Sequence, residues 1–407
     1  MKARPQHRPR PRRRMLLRIA AVQAALSLSL GLTTTFAANA APTTGSTPRP
    51  PIDTAGLQRD LDALITNGDV AAVAKVRDAN EPSWTGTAGV ADLRTGAPVD
   101  ATGKIHIASV TKTFVATVLL QLAGEGRVRL DETIDHYVPG IPEGNVVTLR
   151  QILNHTSGYY DFTHDHTIVP DWSDPAMNQA WLDQGRWKTW SARDLVNRAI
   201  GPNSGHSPTN RPGEAQNYSN TNYLIAGLII ENVTGKSYSH EIERRILRPL
   251  HLRDTSFAGT SPTIRSPFAH TYLVTPTGPQ DATTGSWTVL RSAGEMISTT
   301  NDLIRFDQAL LSGRLLRPAE LREMKTVYGD DSTGIYGLGL HRLTLTCGPI
   351  YGHTGGGAGW ETWMFGTPDA NRQLALAIST LPGNQPAHEA TVTQALEHTF
   401  CPTTPSP

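Results

Sequence analysis

Strand-like stretches sit near both ends of this sequence and helix-like stretches fill its middle, which restricts the chain to a sheet assembled from segments far apart in sequence. On the N-terminal side, Leu57, Leu61 and Leu64 recur at helical spacing over residues 54–66, and residues 70–76 and 86–90 read as strands. On the C-terminal side, strands are predicted over 337–345, 362–366 and 373–380, with a closing helix over 387–400. Helical patterns run between them over 149–153, 195–200, 223–233, 242–250 and 302–311. The prediction is an α/β fold, with one sheet built from the N- and C-terminal segments, flanked by helices and carrying an inserted, mainly helical lobe. A cleft between the two parts is the expected place for a site.

The first forty residues stand apart from the rest. Lys2 and seven arginines up to Arg18 come without an acid, an apolar run over 19–32 follows, and Ala38-Asn39-Ala40 offers the small residues a signal peptidase needs. Residues 1–40 therefore read as a signal peptide, 41–52 as a Pro/Thr-rich linker, 53–401 as the folded domain and 402–407 as a tail. The expectation is secretion to the cell exterior or cell-wall space; Arg13-Arg14 faintly resembles a twin-arginine signal. No later stretch is long and apolar enough to span a bilayer, so no stable membrane anchor is expected after processing.

Removing the leader takes away eight cations and leaves 29 basic against 36 acidic residues, a mature charge of about −7 with His neutral. No basic run survives in that portion, which argues against nucleic acid as a partner. The two cysteines, Cys347 and Cys401, are expected to pair in an oxidising compartment and pin the C-terminal tail.

Three short motifs carry chemistry. Ser109-Val110-Thr111-Lys112 opens a stretch in which Val110, Phe114, Val118 and Leu122 recur every fourth residue, the pattern of an amphipathic helix ended by Gly124 and Gly126. Residues three apart share a helical face, so Lys112 can reach the Ser109 hydroxyl, and the free N–H groups at a helix start favour a developing oxyanion. Tyr218-Ser219-Asn220 precedes a second helix. Tyrosine and lysine are poor bases at neutral pH unless their surroundings shift them, but together they can move a serine proton towards a leaving group. Asn220 offers an amide suited to holding a substrate amide. In His353-Thr354-Gly355-Gly356-Gly357, the glycines would let substrate backbone lie against a sheet edge, the Gly356 N–H would join that of Ser109 in an oxyanion hole, and His353 would supply a switchable charge.

In this order the motifs resemble the signature of the penicillin-recognising serine hydrolases. The likeness is strongest to secreted D-alanyl-D-alanine carboxypeptidase/transpeptidases that share their fold with class C β-lactamases. It extends through Asn154-His155-Thr156-Ser157-Gly158, Ser292-Ala293-Gly294, Tyr336-Gly337-Leu338-Gly339-Leu340 and Tyr351-Gly352-His353. The resemblance implies an antiparallel sheet, acylation of Ser109, and hydrolysis of the acyl-enzyme by water, with no cofactor. It assigns Tyr218 as acid/base, Lys112 and His353 as groups shaping its charge, and Asn220, Thr354, Gly355, Gly356 and Trp287 as substrate contacts. The implied function is that of an exported DD-carboxypeptidase acting on peptidoglycan stem peptides or related D-amino-acid peptides and esters, with some transpeptidation and with β-lactams as inhibitors or substrates. The alternatives are an esterase or β-lactamase on the same scaffold, and a penicillin-binding sensor that acylates without turnover.

Two positions depart from the carboxypeptidase pattern. His341 stands where relatives use an arginine to hold a terminal carboxylate, and Arg342 beside it should point to the opposite face of its strand. Gly356 replaces a customary hydroxyl residue. Both weaken carboxylate recognition. His155 is expected to brace a loop, and His164 and His166 near Asp161 lack matching ligands elsewhere, so no metal site is expected.

Overall fold

The strand-like segments from the two ends of the chain pair with one another, so that the centre of the sheet joins residues about three hundred positions apart. The computed structural model describes residues 50–402 apart from 262, 330–334, 382 and 384. The expected signal peptide, nearly all of the expected linker and residues 403–407 of the expected tail lie outside the described residues.

The strands are β1 (Ala71–Asp78), β2 (Trp84–Asp92), β3 (Ala97–Pro98), β4 (Ile105–His106), β5 (Ser256–Phe257), β6 (Tyr272–Thr275), β7 (Gly278–Asp281), β8 (Met296–Ser298), β9 (His341–Leu345), β10 (Gly348–Gly357), β11 (Trp360–Gly366) and β12 (Arg372–Ser379). Among the described residues, seven of them form one antiparallel sheet in the order β3-β2-β1-β12-β11-β10-β9. The pairing of β1 with β12 runs from Ala71 opposite Ser379 to Asp78 opposite Arg372. Strands β4, β8 and β5 make a small second sheet, and β6 and β7 a hairpin.

The helices are α1 (Thr54–Thr66), α2 (Thr111–Gly124), α3 (Leu149–Leu153), α4 (Pro175–Asp183), α5 (Ala192–Ile200), α6 (Asn220–Thr234), α7 (Tyr238–Ile242), α8 (Thr300–Leu311), α9 (Pro318–Lys325) and α10 (Gln385–Phe400). Asp53, Thr148 and Thr299 cap α1, α3 and α8 by accepting backbone N–H groups with their side chains. Leu57, Leu61 and Leu64 of α1 pack with Leu396 and Phe400 of α10 on Leu374, Leu376 and Ile378 of β12. A larger apolar core gathers α2, α3, α5, α6 and α8 beyond the other face of the sheet. Every residue of β12 is buried, as a strand covered on both faces must be.

Two expectations change. Residues 337–340 are not strand: Gly339 has φ +73°, a left-handed conformation that breaks a ladder, and β9 begins only at His341. Helix α2 is not amphipathic, because Thr111, Lys112, Thr113 and Thr117 are as buried as its apolar stripe. Their polar atoms are satisfied internally: Thr113 Oγ1 donates to Gly339 O at 2.9 Å and Thr117 Oγ1 to Thr113 O at 2.7 Å.

Cys347 and Cys401 form a disulfide with Cα atoms 5.4 Å apart, tying the β9–β10 turn to the end of α10. A second tie is electrostatic. Arg372 has 0% exposure; its Nε donates to Asp78 Oδ2 at 2.6 Å, and its two terminal nitrogens donate to Thr399 O and Pro50 O, each at 2.9 Å. The charge is thus paired and its donors used, as burial requires. Removing the guanidinium would strand a buried carboxylate, so Arg372→Ala is expected to cost about 3–5 kcal/mol, read as a lowered urea midpoint. Arg372→Ala combined with Asp78→Ala should recover part of that loss.

Candidate active site

The nucleophile sits on a tight turn rather than inside a regular helix. Strand β4 ends at His106, and Ala108 takes φ +41°, a left-handed conformation rare for a residue with a Cβ. Residues Ala108–Val110 then make one 3₁₀ turn that runs into α2. The turn is held against β10 by Gly355: a Cβ there would lie 2.1 Å from Ile107 O and 3.1 Å from Ser109 N, so any other residue would push the strand away from the nucleophile. Gly355, expected at the substrate, therefore packs against the protein's own backbone. Gly356 alternates with it to the exposed side, where a Cβ would approach nothing nearer than Trp360 O at 3.9 Å, and it borders the same cavity as Ser109. Strand β9 pairs with β10 only as far as Gly352, so the edge of residues 353–357 is free beside Ser109, as an oxyanion donor at Gly356 requires.

Lys112 follows one helical turn later and is fully buried. Its Nζ lies 2.8 Å from Ser109 Oγ, 2.7 Å from Asn220 Oδ1 and 2.8 Å from the Ala293 carbonyl. Burial pushes its pKa down from the usual lysine value to about 7, against an opposing pull from Asp161. Two of its three partners are oxygens that can only accept. A neutral amine directs its two N–H groups at them and turns its lone pair to the Ser109 hydroxyl, which is the geometry of a general base.

Asn220 is the first residue of α6, and its amide is fixed at both ends, with Oδ1 on Lys112 and Nδ2 donating to Asp161 Oδ2 at 2.9 Å and to Thr163 Oγ1 at 3.3 Å. Tyr218 is 41% exposed, yet its ring lies 4.9 Å from Lys112 Nζ and packs on His155 at 4.2 Å. Its hydroxyl is desolvated and hydrogen-bonds Ser109. Desolvation there raises the phenol pKa, while a hydrogen bond with Ser109 lowers it by less. The phenol stays protonated at neutral pH and is able to donate.

His353 does not supply the switchable charge expected of it. Its Nδ1 donates to Thr354 O, its Nε2 accepts from the Tyr336 hydroxyl at 2.8 Å, and it is 1% exposed. Burial, followed by neighbouring His341 and Lys112, holds its pKa well below the usual value and keeps it neutral. His341 lies 4.5 Å from His353 and 4.7 Å from Tyr336, ring to ring, with burial lowering its pKa to about 4. His155 accepts the Ser219 N–H at 3.1 Å and so braces the Tyr218 loop. Thr354 is half-buried, on the Gly356 side of β10 by strand alternation. His166 bonds Val169 O, and among the described residues no group of three metal-ligating side chains assembles.

A cavity of about 260 Å³ opens beside Ser109. Trp172, Trp181, Trp287 and Trp360 wall it with Ile168, Val169 and Leu290, while Ser109, Thr163 and Asn220 supply the polar side chains. Trp287 is both packed and lining, 3% exposed and 4.6 Å from the Trp360 ring. Three of these tryptophans, together with Asp161 and the Ala293 carbonyl, were not singled out from the sequence. Trp172 lies in a loop, Trp181 in α4 and Trp360 at the start of β11, with no motif around them, and although Ala293 belongs to Ser292-Ala293-Gly294, nothing in that motif shows that its carbonyl meets Lys112.

Two outcomes follow from this geometry. The rate of Ser109 acylation, read as kcat/KM for a nitrophenyl ester, should fall as pH drops through about 7, because the protonated amine loses its lone pair; Lys112→Arg, always charged, should be inactive at every pH. Gly355→Ala should lower kcat/KM on the order of 100-fold by displacing the nucleophile, whereas Gly356→Ala has room for its methyl group.

A sequence model of the family described as Beta-lactamase matches residues 58–399. The chain is 27% identical over 324 residues to Penicillin-binding protein 4* of Bacillus subtilis (strain 168), covering 76% of this chain and 68% of that one; it spans only 32% of Protein flp of Staphylococcus aureus, which it also matches. Among solved structures, a D-stereospecific amidohydrolase from Streptomyces sp. superposes with a TM-score of 0.76 at 36% identity, over 86% of this chain and 100% of that one. D-amino acid amidase from Ochrobactrum anthropi SV3, complexed with L-phenylalanine, gives 0.71 at 29% identity over 84% and 97%. With the Ser109–Lys112–Tyr218 constellation on a seven-stranded antiparallel sheet, these matches make the chain a member of the beta-lactamase family of serine hydrolases with the penicillin-binding protein fold.

Proposed function

We propose that the protein is a D-stereospecific amidohydrolase that cleaves amide or ester bonds following a bulky apolar D-amino-acid residue, through an acyl-enzyme on Ser109. The observation that carries this reading is the cavity beside Ser109, whose walls are four tryptophans and the aliphatic side chains of Ile168, Val169, Val289 and Leu290, and whose lining, among the described residues, contains no charged side chain. Such a site desolvates an aromatic or branched side chain at about 25 cal/mol per Å² of apolar surface, and offers a carboxylate nothing to pair with. The D configuration rests on likeness to structures named D-stereospecific amidohydrolase and D-amino acid amidase, the latter also solved with D-phenylalanine.

In the proposed course, Lys112 takes the Ser109 proton, Ser109 Oγ bonds to the carbonyl carbon, and the N–H groups of Ser109 and Gly356 receive the oxyanion. Tyr218 donates its proton to the leaving amine or alkoxide. Water then attacks the ester carbonyl and gives its proton to the Tyr218 phenolate, and as the ester bond breaks Lys112 returns its proton to Ser109 Oγ. Asn220 faces the cavity and holds the substrate amide. The arginine-rich leader and the disulfide support export as the setting for this chemistry.

The DD-carboxypeptidase reading is favoured by likeness to Penicillin-binding protein 4*. It requires a cation for a terminal carboxylate, and His341, standing where that cation is expected, is neutral at neutral pH.

The test is a panel of D- and L-phenylalanine nitroanilides, D-phenylalaninamide, a D-Ala-D-Ala-ended peptide and a labelled penicillin, with Ser109→Ala beside the wild type. D-Phenylalanyl substrates should turn over at least tenfold faster than their L forms, and Trp287→Ala should raise KM for D-phenylalanine more than for D-alanine substrates. Release of D-alanine at a higher kcat/KM than any D-phenylalanyl substrate would establish the carboxypeptidase instead. Penicillin labelling with no turnover of any substrate would establish a sensor.

A further inference from the structure

Asp161 sits in the loop after α3 and is 5% exposed. Its Oδ1 accepts the Thr163 N–H at 3.0 Å, which caps the turn Phe162–His164, and its Oδ2 accepts Asn220 Nδ2 at 2.9 Å. The Asn220 amide has two ends of opposite hydrogen-bonding character, and Lys112 needs the oxygen. With the amide reversed, an N–H group would face the N–H groups of Lys112, and Asp161 would meet an oxygen. Both contacts would be repulsive. Asp161 thus allows only one orientation.

The groups facing Lys112 come from several elements. Tyr218 and Tyr223 present rings at 4.9 and 5.5 Å, and His155, His341 and His353 lie behind them. Burial raises both phenols and lowers all three imidazoles, so each of these five groups is neutral near pH 7. Asp161 is the acid whose charge acts on Lys112 and on Tyr218.

We propose that Asp161 is a positioning residue for acylation, holding the Asn220 amide so that its oxygen meets Lys112 and supplying the negative charge that faces the amine. The chain Asp161–Asn220–Lys112–Ser109 then works as one unit, and Asp161 acts on the nucleophile through two intermediaries without touching substrate.

Asp161→Asn removes the charge and keeps one acceptor: its oxygen can still meet Asn220 Nδ2, with its amide N–H groups then facing the Thr163 N–H, so the position of the limb rather than the plateau reads the charge. Removing a negative charge favours the neutral amine, so the acid limb of the pH profile of kcat/KM for a nitrophenyl ester should move to lower pH. A shift of half a unit would leave the variant with about 2.5 times the wild type's fraction of its own plateau, measured one unit below the wild-type midpoint. Asp161→Ala, which loses charge and acceptor together, should in addition lower the plateau at least tenfold, and Asp161→Glu should restore the wild-type limb. An acid limb unmoved in a folded Asp161→Asn would overturn the proposal. If Asp161→Asn fails to fold, the decision passes to Asp161→Glu: its longer arm weakens the contact while keeping the charge, and a wild-type limb with a reduced plateau is expected, whereas an unaltered plateau overturns the positioning role. The proposal rests on Lys112 as base; a wild-type profile with no limb near pH 7 would overturn that assignment and this one together, whereas a limb that stays put in Asp161→Asn removes Asp161 alone.

Discussion

One buried amine holds the catalytic cleft together. Lys112 has no exposed surface and lies in the middle of the molecule, yet it connects α2 to α6 through Asn220 and to the Ser292-Ala293-Gly294 segment through the Ala293 carbonyl. A fully charged lysine in that position would carry a heavy desolvation penalty, and burial relieves it by lowering the pKa to the working range of a base. The same burial that makes the helix unusual therefore makes the chemistry accessible. The threonines around it allow this, since Thr111, Thr113 and Thr117 sit inside the core with backbone partners of their own.

The residues of the site divide by how they reach Ser109. Lys112 and Tyr218 approach its oxygen directly, from α2 and from the loop before α6. Gly355 acts through shape alone: its missing side chain sets the distance between β10 and the nucleophile turn. His353, His341 and Tyr336 form a neutral, interlocked layer behind them, joined by the Tyr336–His353 hydrogen bond and by ring contacts. That layer excludes charge from the rear of the site, so the Lys112 amine is not surrounded by competing cations.

Much of this was legible in the sequence, and what was not has physical reasons. The period-four stripe after Ser109 marked a helix, and the runs at 70–76 and 373–380 marked strands, because both follow directly from side-chain patterning. Periodicity could not show that α2 is buried on every side, since threonine reads as polar while its hydroxyl can bond its own backbone. The strand expected over 337–340 failed because a left-handed glycine at 339 interrupts it. Gly355 and Gly356 look equivalent in the sequence, yet alternation along β10 sends one to the backbone of the nucleophile and the other to the cleft. The tryptophan cavity was invisible for a different reason. Its four indoles come from residues 172, 181, 287 and 360, and only the completed fold makes them neighbours.

The Arg372–Asp78 pair joins residues separated by 294 positions, and the strands that carry it occupy the middle of the sheet. Until β12 exists, β1 can pair only with β2 along one edge, and its other edge stays open while the whole helical lobe is synthesised. Closing so long a loop adds little to the final entropy cost, since that cost grows only with the logarithm of length, but it places the decisive pairing last in time. The Ser109 turn is wedged against β10, which also belongs to the late half of the chain. A polypeptide of this design carries Ser109 early and completes the surroundings of that residue only when its final strands arrive.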